Sequence, residues 1–317
     1  MSKGIVLEAR HLTRKFKMAN NRMVAAVDHV DLKMYEGKTL GIVGESGCGK
    51  STLMRMLVQL DKPTEGQIIY RGKDITNDKG KNLRENHRRI QMVFQDPMAS
   101  FNPRMKVAEI VSEPLLNFKL IKKKEKEKEV KRYLEMVDLP EEFMNKYPRN
   151  MSGGQRQRVG IARALTLEPE VILCDEATCS LDVSVQDRII KLLVKLQREK
   201  GITIAFICHD VALVQSMAHE LAIMYLGNIV ERIPGDKVHK EARHPYTKSL
   251  IGSIFDVSIN RSIAIDPIES EFTRALDLPH GCNFQNRCPH CKKICTVEKP
   301  QLTKIDYQHF VACHLYE

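Results

Sequence analysis

The apolar run TLGIV (39–43) leads into Gly44-Glu45-Ser46-Gly47-Cys48-Gly49-Lys50-Ser51-Thr52, and apolar residues at helical spacing follow at Leu53, Met56, Leu57 and Leu60. A short continuous apolar run suits a buried strand, so the segment reads as strand, glycine-rich turn and helix. The turn satisfies the pattern Gly-x-x-x-x-Gly-Lys-Ser/Thr. Its glycines let backbone N–H groups curl around phosphate oxygens, and the positive end of the following helix points at them. Lys50 would reach the β- and γ-phosphates, and the Ser51 hydroxyl would ligate Mg2+.

Further apolar runs recur at IQMVF (90–94), VILC (171–174) and ITIAFI (202–207), with an amphipathic helix around Ile189, Leu192, Leu193 and Leu196 between the last two. Strands alternating with helices argue for a mainly parallel α/β sheet. Val30, Leu32 and Met34 alternate with Asp31 and Lys33 as a half-buried strand, and Pro63, Gly66 and Gly72 punctuate a hairpin-like region. From about residue 104 to 165 the pattern turns helical and charged, which predicts an inserted helical lobe. LAIMYLGNIVERI (221–233) continues the strand pattern. Beyond Pro234 the texture becomes polar and marked by proline and cysteine, so a boundary is expected near residue 235. VILC ends in Asp175 and Glu176, about 125 residues after the loop. There Asp175 would hold Mg2+ through its water shell and Glu176 would polarise a water in line with the γ-phosphate.

Composition narrows the class. At 317 residues, 43% hydrophobic and 28% charged, the chain can bury a full core and is neither disordered nor dependent on disulfides. The net charge of +10 is interleaved with acids, as in Lys122-Lys123-Lys124-Glu125-Lys126-Glu127-Lys128-Glu129, the pattern of a solvated helix face. With aromatics at 6% and no tryptophan, platforms for stacking nucleic-acid bases have little support, and no nucleic-acid partner is expected. No run approaches the ~18 apolar residues of a membrane span. The first residues lack the apolar core of a signal peptide, so the expectation is a cytoplasmic chain.

Met151-Ser152-Gly153-Gly154-Gln155-Arg156-Gln157 resembles the LSGGQ signature of ATP-binding cassette proteins, with Met at the first position. Physically, Ser152, Gly153 and Gly154 open a helix and offer N–H groups to an anion. The other motifs of that family follow in register. Gln95 is similar to the glutamine that senses Mg2+ and the attacking water. Cys179-Ser180-Leu181-Asp182 stands where the family has SALD and keeps Leu181 and Asp182. His209 resembles the switch histidine that contacts the γ-phosphate. Phe16 is a candidate for the aromatic that stacks on adenine, with a core role as its alternative. The resemblance covers residues 4 to about 235 and implies a P-loop α/β fold with a parallel sheet core, an antiparallel β subdomain and an inserted helical subdomain at about 97–165. The domains expected are therefore 1–235 for the ATPase and 236–317 for a small cysteine-rich extension.

Phe94-Gln95-Asp96-Pro97, Ser100-Phe101-Asn102-Pro103-Arg104-Met105, Asp182-Val183-Ser184-Val185-Gln186 and His244-Pro245-Tyr246-Thr247 are similar to the oligopeptide/dipeptide group of importer ATPases, in its F-type sibling form. Nickel and other small-solute importers share this group. The resemblance implies ATP hydrolysis coupled to transport and two membrane permease partners. It also implies a sibling ATPase in a head-to-tail heterodimer, an extracytoplasmic solute-binding protein, and a place on the cytoplasmic face of the membrane. A cassette serving DNA repair or translation fits poorly, because no long coiled coil and no second cassette are present.

Five of the nine cysteines crowd the end of the chain. Cys282, Cys288, Cys295 and Cys313 are separated by five, six and seventeen residues, with Cys291 as a fifth thiol. Clustered cysteines in a cytosolic protein read as metal or cluster ligands before disulfides. The spacing is similar to the C-terminal module of the same importer group, where four cysteines can hold a 4Fe–4S cluster. Zinc is the rival, since four thiolates suit it equally.

Overall fold

TLGIV is buried at every position as the strand Thr39–Val43 in the computed structural model, which describes residues 4–18, 21–178, 181–208, 210–255 and 279–317. The described residues gather into two compact units that interleave along the chain. One holds the described residues within 1–6, 35–38 and 78–206, and the other those within 7–34, 39–77 and 207–317. The described residues beyond 235 gather in the unit that carries the phosphate loop.

In the unit that carries residues 78–206, the strands Ile90–Val93, Val171–Cys174 and Thr203–Cys208 run parallel, in the register Ile90↔Val171 and Val171↔Thr203. Val171–Cys174 and Thr203–Cys208 are buried at every position, as continuous apolar runs require, while Gln91 and Met92 on Ile90–Val93 are half-buried. Between the first two strands lie only helices and turns, principally Val107–Asn117, Lys126–Met136 and Gly153–Leu165. Each turns an apolar stripe inward: Ile110, Val111 and Leu115 on the first, Val130, Tyr133 and Leu134 on the second, Val159, Ile161 and Leu165 on the third. The charged run 122–128 stays exposed or half-buried, as a solvated face should. The helix Val183–Lys200 buries Ile189, Ile190, Leu192, Leu193 and Leu196 and ends at Gly201 in the left-handed conformation.

In the other unit, Thr39–Val43 pairs in parallel with Glu220–Tyr225. The run 221–233 is not one strand: it folds back through Leu226 and Gly227, both at positive φ, into the antiparallel pair Glu220–Tyr225 and Asn228–Pro234. The strand His309–Val311 pairs antiparallel with Asn228–Pro234, and Thr303–Asp306 pairs with it in turn. The C-terminal segment is thus built into a sheet. A second sheet has the order Met23–Tyr35, Ile5–Lys17, Glu65–Tyr70 and Lys73–Asp74, whose last three strands pair antiparallel. The helix after the phosphate loop, Lys50–Leu57, buries Leu53, Met54, Met56 and Leu57. Leu60, expected on the same stripe, is not in the helix and is 46% exposed. The chain turns through Gln59 at φ 60° and returns the Leu60 N–H to the Arg55 carbonyl, which throws that side chain outward. Among the described residues no helix is long and apolar enough to cross a membrane.

Candidate functional site

The phosphate loop is closed on its inner side by main chain. Gly49 adopts φ 107°, and a Cβ there would lie 2.0 Å from the Ala26 carbonyl oxygen, so only glycine fits. On the outer side a Cβ at Gly47 would meet nothing within 4 Å. The loop is therefore a backbone cradle open to one side, at the start of the helix Lys50–Leu57. Lys50 is 4% exposed, and its ammonium donates to the Gly44 and Glu45 carbonyls at 2.7 and 2.8 Å. Carbonyl dipoles solvate that charge without neutralising it, which leaves it available to an anion. Gly44 and Cys48 are buried, Glu45, Gly49 and Thr52 half-buried, and Ser46 and Ser51 exposed. Burial pushes the Cys48 thiol up, so it stays protonated behind the loop.

In the other unit, Asp175 and Glu176 stand at the end of the strand Val171–Cys174. Asp175 is 9% exposed and its N–H donates to the Val93 carbonyl, which fixes the residue against the neighbouring strand. Glu176 has φ 44°, a left-handed conformation that costs a non-glycine residue energy. Its Oε2 accepts from Gln95 Nε2 at 2.8 Å. The structure thus brings Gln95 and Glu176 together, 81 residues apart in sequence. Within this unit the Asp175 carboxylate and the Gln95 amide offer hard oxygen donors, the chemistry Mg2+ takes.

The signature segment forms the N-terminus of Gly153–Leu165 with a reciprocal cap: Ser152 Oγ accepts from the Gln155 N–H at 3.3 Å, and Gln155 Oε1 accepts from the Ser152 N–H at 2.9 Å. A Cβ on Gly154 would lie 2.4 Å from Val185, so glycine lets this helix approach the helix Val183–Lys200. Gln157, 2% exposed, donates to the Phe94 carbonyl beside Gln95, and Arg163 donates to the Ser100 carbonyl and pairs with Glu113 at 2.8 Å. Sequence reading gave neither residue a role, although both lie within one turn or two of the motif it found. Asp182 is exposed ahead of Val183–Lys200, where its carbonyl accepts the Val185 and Gln186 N–H groups. Cys179, Ser180 and His209 lie outside the described residues. Phe16 is 39% exposed on the strand Ile5–Lys17, with the Arg14 guanidinium 4.8 Å from its ring centroid, so the core role weighed for it does not hold.

The C-terminal segment gathers Cys282, Cys288, Cys295 and Cys313. Burial pushes the Cys282 thiol up to about 11, and charge on Cys295, Cys313 and Cys288 acts in the same direction. The Cys282 N–H donates to the Cys295 carbonyl, and the Lys292 N–H to the Cys295 thiol. Cys291 is exposed. Among the described residues no three His, Cys, Asp or Glu side chains take up the arrangement of metal ligands. The expected ligand set therefore shares one neighbourhood without forming a coordination sphere.

Two contacts of this segment escaped the sequence altogether. Arg287 pairs with the Glu45 carboxylate through both terminal nitrogens, at 3.0 and 2.9 Å. The Tyr246 hydroxyl accepts from the Glu45 N–H at 2.9 Å. No local pattern announces pairings between positions 242 and 201 residues apart.

A family model described as "ABC transporter" matches residues 27–179, and one described as "Oligopeptide/dipeptide transporter, C-terminal region" matches residues 230–295. The chain is 40% identical over 98% of its length to the oligopeptide transport ATP-binding protein OppF of Haemophilus influenzae, of which it covers 97%. It is 38% identical over 98% of its length to the di/tripeptide transport ATP-binding protein DppF of Pseudomonas aeruginosa, again covering 97%. A dimeric ATP-binding cassette in a post-hydrolysis state bound to ADP and Pi is similar in structure, with a TM-score of 0.67 and 32% identity over 72% of this chain and 98% of that one.

Proposed function

The chain belongs to the ABC transporter family of ATP-binding cassettes, in its oligopeptide/dipeptide branch, and from that membership we propose that it hydrolyses ATP to power peptide import through membrane permease partners. Its fold is the α/β cassette fold of the similar solved structures. The observation that carries the reading is the buried Lys50 ammonium held by two carbonyls inside a glycine loop open on one side.

The roles follow from the residues. Lys50 and the loop N–H groups of Ser46 to Ser51 bind the β- and γ-phosphates. Ser51, Asp175 and Gln95 would hold Mg2+, which would neutralise charge building on the phosphates. Glu176 takes the proton of the attacking water, and Gln95 holds the carboxylate in place for it. His209 contacts the γ-phosphate, and Phe16 stacks on adenine. Ser152, Gly153, Gly154, Gln155 and Asp182 complete the site of the opposite cassette in a head-to-tail dimer with a sibling ATPase. Two permeases, a solute-binding protein outside the membrane and attachment to its cytoplasmic face complete the assembly.

The test is transport. Vesicles carrying the permeases, this chain and its sibling should accumulate di- and oligopeptides with ATP, and Lys50→Ala should abolish both nucleotide binding and uptake. Uptake of nickel but not peptide would move the chain to the small-solute reading, and unchanged ATP affinity in Lys50→Ala would remove the phosphate-loop assignment.

The finer reading of the tail is that Cys282, Cys288, Cys295 and Cys313 hold a 4Fe–4S cluster. Four thiols in one neighbourhood support it, and their arrangement without a coordination sphere does not. Anaerobically purified protein should then be brown with near-equal iron and acid-labile sulfide, and serine at any of the four should bleach it while Cys291→Ser does not. A colourless protein with one zinc per chain would replace the cluster and keep the ligand set.

A further inference from the structure

Glu45 is an odd residue for a loop that must receive a polyanion, because an ionised carboxylate there repels phosphate and competes for Lys50. The structure answers both problems from the C-terminal segment. The Glu45 carbonyl accepts from Lys50, its N–H donates to the Tyr246 hydroxyl, and its carboxylate lies in the two-pronged grip of Arg287. The guanidinium is itself fixed: its side chain is 14% exposed, and it lies 5.8 and 5.7 Å from the ring centroids of Tyr225 and Phe284. Those rings pack with Tyr246 at 4.6 and 5.5 Å, so clamp and support form one aromatic block. A planar fork matched to a carboxylate fixes direction as well as charge.

We infer that Arg287 and Tyr246 are positioning residues for nucleotide binding, which clamp Glu45 so that the phosphate loop is preformed and the Lys50 charge is left for the ligand. The inference rests on the ATP-binding reading above. It makes the C-terminal segment a working part of the nucleotide site.

The test titrates the full chain with a fluorescent ATP analogue and follows ATP turnover in the assembled complex. Arg287→Met should weaken binding roughly tenfold, with kcat at saturating ATP changed far less than KM. Arg287→Lys should recover only part of the loss, since an ammonium is a point charge. Adding Glu45→Gln to Arg287→Met should restore affinity to within about threefold, because the unpaired carboxylate is gone. Parental affinity in Arg287→Met would overturn the inference, and so would a loss that Glu45→Gln fails to relieve. Should Arg287→Met not fold, Tyr246→Phe keeps the ion pair and removes only the acceptor at the Glu45 N–H. It should bind several-fold more weakly, and parental affinity there would also overturn the clamp. Lys50→Ala in the same titration separates the two readings: its failure to lose binding sinks the nucleotide site itself, whatever Arg287 does.

Discussion

Glu176 combines a left-handed backbone with a carboxylate held by Gln95, an arrangement that aims the group from both ends. Glu176→Gln keeps the shape and removes the proton acceptor, so nucleotide affinity should stay at the parental level while turnover falls about 10²–10⁴-fold. Steady-state hydrolysis measured beside equilibrium binding checks this, and near-normal turnover would take Glu176 out of the chemistry. At this scale the sequence was informative wherever a motif is contiguous: Lys50, Asp175, Glu176 and the Ser152–Gln155 cap stand in local patterns whose physics can be read directly. Arg287 could not be read that way. Its meaning lies in Glu45, 242 residues distant, and beside Cys288 it looks like one more basic residue in a polar tail.

His244 shows how an element can be anchored by a titrating group. It precedes the helix Pro245–Phe255, and its Nδ1 accepts the Tyr246 N–H at 3.1 Å, the part a capping side chain plays. Burial outweighs the attraction of Glu231 and lowers the imidazole to about 4. The unfolded chain has the ordinary histidine value near 6.5. Between those values the unfolded state binds the proton that the folded state refuses. Stability from this group is therefore complete above about pH 6.5 and is lost as pH falls toward 4, by up to roughly 1.4 kcal/mol per unit. Urea unfolding at several pH values should show that slope, and His244→Asn, which keeps an acceptor without titrating, should flatten it. An unchanged slope would place the acid sensitivity elsewhere. Element legibility had the same limit as residue legibility. TLGIV, VILC and the amphipathic Ile189–Leu196 stripe fold as their periods predict. Leu60 left its stripe because Gln59 turned the chain, and the run 221–233 split because Leu226 and Gly227 could both take positive φ. His244-Pro245-Tyr246-Thr247 carried a family resemblance but no hint that its tyrosine supports the phosphate loop.

For the whole molecule, Ser152 is exposed at a capped helix start, presented to whatever docks there. Ser152→Arg should leave ATP binding by the single chain unchanged and block hydrolysis in the assembled complex, because in the proposed head-to-tail dimer it would set bulk and charge where the partner's nucleotide would sit. Full activity at high dilution, indifferent to this change, would rule out a shared site. The tail belongs to the same scale. It supplies a strand beside Asn228–Pro234, the His309 imidazole bonded at 2.7 Å to the fully buried Glu231 carboxylate, the Lys299 partner of Asp28 and the Arg287 partner of Glu45. All of these close onto residues made much earlier. A ribosome adds roughly 5–20 residues per second, so Glu45 leaves it some tens of seconds before Arg287. Throughout that interval the nascent chain carries the glycines and the lysine of its loop without their clamp. On the inferred clamp, full affinity for nucleotide is thereby deferred to the end of synthesis, and a chain interrupted before its tail is made should hold nucleotide more weakly.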